Sequence, residues 1–398
     1  MSAGRALLIG AEENPALPIL ASLARAGVEV HAASHRRINV GFFSRHPRRR
    51  ILTPPPTDVP AYTAFLLDHV RKTGYDAILS AGDDPTWALV QHRAEFAALA
   101  GVPYPDAAIY AICRDKSLTM RAAARLGVPT PRTFEPDRDG IDAIAAALPF
   151  PVVIKPNVSD GARGISYPAT VDALRRDLPA TVARYGPCHV QEYIPQTAGQ
   201  YKAEVLLDAD RTIRGWCAFH KIRYYPPSGG SSTLNRAVER KDALEHAARI
   251  LQGIGWYGLG DCDFIEDPRD GMLKLMEINP RFTRPLKVCV QAGVDFPLLL
   301  FRMARGEKPA PMLTYRLGTT VRYLPADLTW FLRSKDRFRA RPGFLRTFLE
   351  ADADEVFMLG DPGPGLGYLL AMGIDFLNPR SREFRLRLGG PAPKKPVE

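Results

Sequence analysis

The stretch PFPVVIKPNVSDGARGISYP, residues 149–168, joins an apolar run to a glycine-containing loop. The run at 152–154 predicts a buried strand, and Lys155 follows it directly. Gly161 and Gly164 lie in the loop beyond. Glycines let backbone N–H groups approach an anion that a Cβ atom would hold off. The stretch therefore predicts a phosphate site.

Two common phosphate fingerprints do not match this site. A P-loop requires Gly-Lys-Ser/Thr at the start of a helix, and the chain contains no Gly-Lys pair. A dinucleotide fingerprint requires three spaced glycines after the first strand, but RALLIG at 5–10 leads into AEENPAL. The kind of phosphate site stays open at this point.

Composition is that of a globular protein with room for two or three domains. The 398 residues are 46% hydrophobic and 24% charged. No apolar run approaches the roughly 20 residues of a membrane span, and Glu12 and Glu13 interrupt the place of a signal sequence. The 5 cysteines are isolated, which favours reduced thiols and argues against structural zinc. We expect a cytoplasmic protein.

The net charge of +10 raises the alternatives of nucleic-acid binding and of a site for polyanionic small molecules. The basic run RHPRRR at 45–50 leads into a proline-rich linker and has no interleaved aromatic residues to stack on bases. This pattern is more typical of a solvated loop, so we expect no nucleic-acid partner.

The first hundred residues alternate strand and helix, which predicts a Rossmann-like domain with a parallel sheet. Asp83 and Asp84 follow the strand at 75–82, at the edge where such sheets bind ligands. Because Pro85 follows, we expect the pair to cap a helix. Lys116 falls in the first turn of the next helix, where a cation is either solvated or bound to an anion, and position alone favours solvation.

The stretch GDCDFIEDPRDGMLKLMEINPRF, residues 260–282, predicts a β-hairpin. Alternation places Glu277 and Asn279 on one face, with Arg281 just beyond, and Asp263 comes alongside if the register permits. Two carboxylates and an amide oxygen suit Mg²⁺. The alternative is a surface hairpin with solvated charges, but the strand's apolar neighbours favour burial and hence a metal.

Taken in order, these parts resemble the ATP-grasp superfamily over residues 1 to about 310. IKPNVSDGARGI is similar to the loop of biotin carboxylase and carbamoyl-phosphate synthetase, and MEINPRF matches the metal-binding strand. The C-terminal part resembles the D-aspartate-ligase-like branch of carboxylate–amine ligases.

The resemblance implies an α/β fold, α+β within the grasp. It implies a Rossmann-like pre-ATP-grasp domain at 1–112, a first grasp subdomain at 113–195 and a second at 196–311. A C-terminal extension at 312–398 follows, with a disordered tail from 390. The extension is expected to be a lid on the grasp, with contact to a membrane as the alternative.

The resemblance also implies site residues. Those binding ATP would be Lys116, Lys155, Ser159, Asp160, Gly161, Ala162, Arg163, Gly164, Glu192, Tyr193, Ile194 and Gln200. Loop 157–165 would close over the phosphates, and Glu192 would accept a hydrogen bond from the adenine amino group. Gln200 would take the place of the usual acidic or histidine ribose ligand. Those holding Mg²⁺, or Mn²⁺, would be Asp263, Glu277 and Asn279. Those acting in catalysis would be Arg281, Lys221 and Arg223. Two basic residues beyond the metal strand, Arg284 and Lys287, either bind an anionic substrate or are exposed.

The implied activity is an ATP-dependent ligase that forms an amide through an acyl phosphate. A bicarbonate-activating carboxylase or carbamoyl-phosphate-type enzyme and a non-catalytic ATP-binding regulator are the alternatives. The implied partners are a small carboxylate and an amine, such as amino acids, and a homodimer; no stable membrane insertion is expected.

Overall fold

The computed structural model describes residues 3–159, 163–225 and 230–377. Three loop residues predicted to bind nucleotide (Asp160, Gly161 and Ala162) lie outside these ranges, as does the tail from 390. Within the described ranges, no helix is long and apolar enough to cross a bilayer.

The N-terminal part contains a four-stranded parallel sheet with the strand order β3-β2-β1-β4. Leu7, Leu8 and Ile9 of the central strand have no solvent exposure, because helices cover both faces of the sheet. Parallel pairing agrees with the expected alternation of strands and helices. The elements are β1 (Arg5–Ile9), α1 (Ala16–Arg25), β2 (Glu29–Ser34), α2 (Val40–Phe43), β3 (Arg49–Leu52), α3 (Val59–Thr73), β4 (Ala77–Ser80), α4 (Asp83–Gln91) and α5 (Arg93–Ala97).

A three-stranded antiparallel sheet follows, with the order β5-β7-β6. Its core is formed by Ile144, Val152, Ile154, Leu174 and Val190. The elements are α6 (Ala107–Arg114), α7 (Lys116–Arg125), β5 (Thr133–Phe134), α8 (Pro136–Asp139), α9 (Ile141–Ala147), β6 (Val152–Pro156), α10 (Val171–Tyr185) and β7 (Cys188–Glu192).

A seven-stranded sheet with the order β12-β11-β8-β9-β10-β13-β14 forms the largest layer. It is antiparallel except for the β13–β14 pair. The elements are β8 (Gly199–Leu207), β9 (Ile213–Tyr225), β10 (Ser231–Ala237), α11 (Lys241–Gly253), β11 (Gly258–Glu266), β12 (Leu273–Asn279), α12 (Leu286–Ala292), α13 (Phe296–Ala304), β13 (Thr320–Arg322), α14 (Leu324–Arg333), α15 (Arg346–Glu350), β14 (Ala353–Asp354) and α16 (Gly363–Leu377).

The β11–β12 pair confirms the predicted hairpin and supplies the register that the sequence left open. Asp263 lies opposite Glu277, and Asp261 lies opposite Asn279, with an irregularity between Asp263 and Phe264. Since directly opposed residues project to the same face, the Asp263–Glu277 and Asp261–Asn279 pairs share one side of the sheet.

One apolar core joins the N-terminal sheet to the seven-stranded sheet. It runs without interruption from Leu7 and Ile9 to Phe264 and Ile278. Tyr110 lies between the two layers and packs against Trp87 and Trp256, with ring centroids 5.8 and 6.0 Å apart. The carboxyl edge of the parallel sheet is thereby held beside the end of β12.

The C-terminal part contributes to the large sheet, because β13 pairs with β10 and β14 pairs with β13. The tyrosine preceding α14, Tyr323, contacts Tyr368 of α16, with 3.1 Å between the hydroxyl oxygens. At the start of α16, glycines allow close packing on α2: a Cβ on Gly363 would lie 2.0 Å from the carbonyl oxygen of Phe43.

Candidate active site

One face of the seven-stranded sheet carries polar side chains on adjacent strands. The β8–β11 register places Lys202 opposite Asp263 and Glu204 opposite Asp261. Combined with the hairpin register, this arrangement puts one row of polar residues across the sheet. Its members are Glu277 and Asn279 on β12, Asp261 and Asp263 on β11, Lys202 and Glu204 on β8, Lys221 on β9 and Asn235 on β10.

Asp263 is at the centre of this row and is only 4% exposed. Its carboxylate lies 3.0 Å from the Lys202 ammonium and 3.3 Å from that of Lys221. The Asn279 amide donates to it at 3.1 Å. Burial opposes the charge, but the two lysines hold the pKa of Asp263 below its ordinary value. Asp263 is therefore a buried carboxylate that stays ionised.

The three residues predicted to hold a metal are brought together. Asp263 faces Glu277 across the hairpin, and Asn279 contacts Asp263 directly. In the described ranges no three His, Cys, Asp or Glu side chains cluster as a metal site. The predicted set has only two carboxylates, so a hard cation there would also need the Asn279 amide oxygen and phosphate oxygens. This donor chemistry fits Mg²⁺ bound together with a nucleotide.

Two lysines approach Glu277 from the side of the three-stranded sheet. Lys116, at the start of α7, is 8% exposed. Its ammonium lies 3.4 Å from the Glu277 carboxylate and donates to the Ser159 carbonyl at 2.6 Å. Burial lowers the pKa of Lys155 to about 8, with Glu277 opposing and Lys116 reinforcing that shift. The favoured solvated interpretation of Lys116 is thus wrong: the side chain is buried beside a carboxylate and a loop carbonyl.

The loop predicted to bind phosphate, residues 157–165, contains a position that only glycine fits. Gly164 has a φ of +76°, and a Cβ there would lie 2.7 Å from Pro156 and 2.8 Å from Tyr185. Ser159 contacts Lys116 through its carbonyl, and Arg163 is exposed at the far end of the loop. The loop therefore leaves β6 beside both lysines.

The predicted adenine-binding residues lie at the end of β7. The Glu192 carboxylate accepts from the Arg132 backbone N–H at 3.0 Å and from the Arg269 guanidinium at 3.1 Å, with the Lys274 ammonium at 3.5 Å. Burial opposes the charge, but these partners hold the pKa of Glu192 below its ordinary value. Binding of an adenine amino group by this side chain would require the cluster to open, so that role stays a prediction.

The other predicted nucleotide contacts surround the same strand end. Tyr193 packs edge-on against Tyr167 at 5.9 Å, and Ile194 is 5% exposed. Gln200 is buried and donates to Gln196 at 3.0 Å. Their contacts with a nucleotide stay predictions.

Arg281 reaches the N-terminal sheet. Its guanidinium donates to the Asp83 carboxylate at 2.6 Å. Burial opposes the charge on both groups, but the ion pair raises the pKa of Arg281 and lowers that of Asp83. The expectation that Asp83 and Asp84 cap a helix is wrong: α4 begins at Asp83, Gly82 is its N-cap, and no side chain caps it. Asp83 instead holds the residue predicted to face the transferred phosphoryl group.

We expect Asp83→Asn to lower kcat about tenfold while leaving the KM for ATP nearly unchanged. The amide keeps the shape of the side chain but removes the charge that orients Arg281. Steady-state kinetics test this expectation, with the exposed neighbour variant Asp84→Asn as the matched control. Equal effects of the two variants would contradict a positioning role for Asp83.

The two other predicted catalytic residues differ in their surroundings. Lys221 faces Asp263, as described above. The Arg223 guanidinium makes two hydrogen bonds to Asp327 of α14, at 2.8 and 2.7 Å, and lies over Trp330 at 5.0 Å. These contacts favour a structural role for Arg223, because they hold its charge against the C-terminal part.

Arg284 and Lys287 both have partners within the chain. Arg284 pairs with Glu355 at 3.2 Å and lies over the Tyr323 ring at 4.4 Å. Lys287 is 6% exposed and donates to the Asp354 carbonyl, and burial lowers its pKa to about 8. The alternative that both side chains are exposed is wrong.

Sequence reasoning missed Lys202, Glu204 and Asp261. Lys202 pairs with both Asp261 and Asp263. Burial opposes its charge, but these carboxylates raise the pKa of Lys202. A signal was present, since the alternation in YKAEVLLD places Lys202 and Glu204 on one face.

Glu204 is fully buried, and neither of its carboxylate oxygens has a hydrogen-bond partner within the described structure. Burial and the nearby charge of Asp261 raise the pKa of Glu204 to about 8, from an ordinary value of 4.5. Folding raises the pKa of this carboxyl group. The resulting stabilisation is fully present below the pKa of the unfolded state, and it is lost as the pH rises through the pKa of the folded state.

Glu204 should therefore contribute a loss of about 2 kcal/mol of unfolding free energy between about pH 6 and pH 8, and Glu355, whose pKa burial also raises to about 8, should add to it. Glu204→Gln should remove the Glu204 contribution and leave that of Glu355, because the amide has no proton to release. Chemical denaturation at the two pH values measures it, with the exposed Glu245→Gln as control. A variant with the wild-type pH dependence would show that Glu204 does not titrate in this window.

Comparison with known proteins shows which enzymes this chain is similar to. No protein-family model matches the chain. It is 28% identical over 272 residues to the D-alanine–D-alanine ligase of Gluconobacter oxydans, an alignment covering 63% of this chain and 86% of that protein. It is 26% identical over 226 residues to the vancomycin/teicoplanin A-type resistance protein VanA of Enterococcus faecium, covering 52% of this chain and 65% of that protein, which is just under two thirds of its length.

Solved structures share the fold. The biotin carboxylase domain of the Hydrogenobacter thermophilus 2-oxoglutarate carboxylase, solved with MgADP and bicarbonate, aligns with a TM-score of 0.66 at 18% identity over 80% of this chain and 74% of that one. The Staphylococcus aureus N5-carboxyaminoimidazole synthetase, solved with ADP, aligns with a TM-score of 0.64 at 14% identity. This alignment covers 80% of this chain and 81% of that one. These relatives and structures support the resemblance to the ATP-grasp superfamily. Residues of α7, β6, β11 and β12 meet at Glu277.

Proposed function

We propose that this chain is an ATP-grasp protein and an ADP-forming ligase that joins a carboxylate to an amine. The observation that carries the proposal is the convergence of Lys116 and Lys155 on Glu277, which faces Asp263. Cations from one sheet and carboxylates from the other enclose a place suited to a polyphosphate with its counter-ion. The relatives named as D-alanine–D-alanine ligase and D-aspartate ligase support this assignment.

In this proposal Lys116, Lys155 and loop 157–165 bind the ATP phosphates. Asp263, Glu277 and Asn279 would hold Mg²⁺, which supplies charge neutralisation between phosphate oxygens when bound. Lys221 lies 3.3 Å from Asp263 on the same sheet face as Lys202. It would keep Asp263 ionised and oriented.

The chemistry proceeds in two displacements. A carboxylate oxygen attacks the γ-phosphorus, the bond to the β-phosphate oxygen breaks, and ADP leaves with its electron pair. The amine nitrogen then attacks the carbonyl carbon of the acyl phosphate, inorganic phosphate leaves, and the amine proton passes to solvent or phosphate. Arg281, held by Asp83, would offset the charge on the transferred phosphoryl group.

The carboxyl edge of the parallel sheet favours a substrate with a positive charge, such as the ammonium group of an amino acid. Asp83 lies there together with Glu12 and Glu13. Burial and the charges of Glu12 and Asp83 raise the pKa of Glu13 against the opposing charges of Arg281 and Arg36, so carboxylates are crowded at this edge. A bound ammonium group would relieve that crowding.

The domain assignment is part of the proposal. The parallel sheet would be a Rossmann-like pre-ATP-grasp domain at 1–112, and the two grasp subdomains would be 113–195 and 196–311. The extension at 312–398 would be a C-terminal addition that completes the large sheet, since β13 and β14 pair at its edge.

A second candidate is the activation of bicarbonate, which the bicarbonate-bound biotin carboxylase neighbours favour. This reaction uses the same phosphoryl transfer, with a bicarbonate oxygen as the nucleophile. The acidic edge at Asp83 and Glu13 counts against it, because bicarbonate carries no positive charge to meet it.

A hydroxylamine trap distinguishes the two. The purified chain is incubated with Mg-ATP, hydroxylamine and either pooled amino acids and dicarboxylates or bicarbonate alone, and hydroxamate and ADP are measured together. We expect ADP with a hydroxamate of one acid. ADP release that requires bicarbonate alone would establish the second candidate, and the absence of ADP from every pool would contradict both.

A further inference from the structure

The C-terminal part exposes large apolar side chains on α14, on α15 and on the segment between them. Those with more than two fifths of their surface exposed are Leu328, Leu332, Phe338, Leu345, Phe348 and Leu349, and Leu349 reaches 90%. Leu328 and Leu332 are one helical turn apart and so share the outer face of α14. Apolar groups of this size on a surface mark a contact site.

Basic side chains are interspersed with these apolar groups. The exposed basic residues between 328 and 350 are Arg333, Lys335, Arg337, Arg339, Arg341 and Arg346. The exposed acidic residues in the same range are Asp336 and Glu350. Arginine and lysine beside leucine and phenylalanine are the composition of surfaces that bind anionic bilayers.

Helix α16 adds a second apolar region. Its first turns pack on α2, and its only charged residue is Asp375. Beyond Gly367 the helix exposes further large apolar side chains, namely Leu369, Leu370, Met372, Ile374, Phe376 and Leu377. The contact between Tyr323 and Tyr368 links α16 to the start of α14. We call the exposed residues of α14, α15, the intervening segment and α16 the C-terminal apolar surface.

Charge argues against a second copy or the chain's own C-terminal residues as the occupant of this surface. A two-fold contact with a second copy would place its arginines against the same arginines. The chain's own residues 378–398 are also basic, with four arginines and two lysines against two glutamates. Nucleic acid would satisfy the charge but not the leucines, because aliphatic side chains do not stack on bases.

We infer that the C-terminal apolar surface docks this protein peripherally on an anionic phospholipid bilayer. The leucines and phenylalanines enter the interfacial layer, and the arginines meet the headgroup phosphates. This inference goes beyond the proposed ligase activity and does not depend on it.

Vesicle sedimentation of the full chain tests the inference. We expect binding to vesicles of phosphatidylcholine and phosphatidylglycerol, weak binding to phosphatidylcholine alone, and loss of binding as salt is raised. The double variant Leu345→Asp/Leu349→Asp should weaken partitioning by at least about tenfold. Reversal of charge in Arg337→Glu/Arg339→Glu should weaken it by a similar factor. All four side chains are exposed, so folding should be unchanged.

Met272→Asp is the matched control, because Met272 is 48% exposed and precedes β12 at the opposite edge of the large sheet. It should bind vesicles like the wild type. No binding to anionic vesicles, or equal loss in the control, would overturn the inference. Sedimentation velocity showing a dimer that the Leu345/Leu349 variant dissociates would assign the surface to a second copy instead.

Discussion

Replacing Lys202 with methionine is expected to lower the unfolding free energy by about 3–5 kcal/mol, the largest stability effect of any single change considered. The Lys202 ammonium neutralises Asp261 and Asp263, whose side chains are 0% and 5% exposed. Methionine fills the space of the lysine stem but leaves two buried carboxylates with one fewer cation. Denaturant unfolding measures the change.

Two further variants make this expectation specific. Lys308→Met removes an exposed lysine that pairs with Asp210 at 2.7 Å, and it should leave the unfolding free energy nearly unchanged because solvent screens the pair. Adding Asp261→Asn to Lys202→Met should recover part of the loss, because one uncompensated charge disappears. Equal effects of the Lys202 and Lys308 variants would show that the buried cluster does not depend on its lysine.

Glu277→Gln is expected to lower kcat/KM at least about 100-fold in the trapping reaction. The amide keeps the hydrogen-bonding shape but cannot neutralise Lys116, 3.4 Å away, or a bound cation. Hydroxamate formation measures activity, and a fluorescent nucleotide titration separates binding from turnover.

Glu245→Gln on the exposed face of α11 is the matched control for Glu277→Gln. It should retain wild-type activity. Wild-type turnover by the Glu277 variant, in a protein that unfolds normally, would remove Glu277 from the site and with it the proposed cation ligands.

The hairpin and its oxygen ligands could be predicted because their signals are local. Alternation in LKLMEIN fixes the face shared by Glu277 and Asn279. The position of Asp263 depended on the register, which an irregularity beside Phe264 helps to set. Lys202 stood on a predicted strand, but its pairing with Asp263 joins residues that lie far apart in the chain. Periodicity within a strand does not reveal its neighbour.

The wrong predictions share this cause. For Asp83 a local cap was preferred, whereas its partner is Arg281, 198 residues further along. For Lys116 the unfavourable helix dipole suggested solvation, whereas the Ser159 carbonyl and the Glu277 carboxylate bind its ammonium group in the folded chain. In each case a tertiary contact outweighed a preference of less than about 1 kcal/mol.

The most direct test of the central claim follows the carboxylate oxygen of the acid that the hydroxylamine trap identifies. That acid is supplied with ¹⁸O in its carboxylate, together with Mg-ATP and the amine, and the released phosphate is examined by mass spectrometry. The account predicts one ¹⁸O atom in each inorganic phosphate, because the acyl phosphate breaks between the carbonyl carbon and that oxygen. Phosphate without the label, in a reaction that still forms amide and ADP, would contradict the acyl-phosphate ligase.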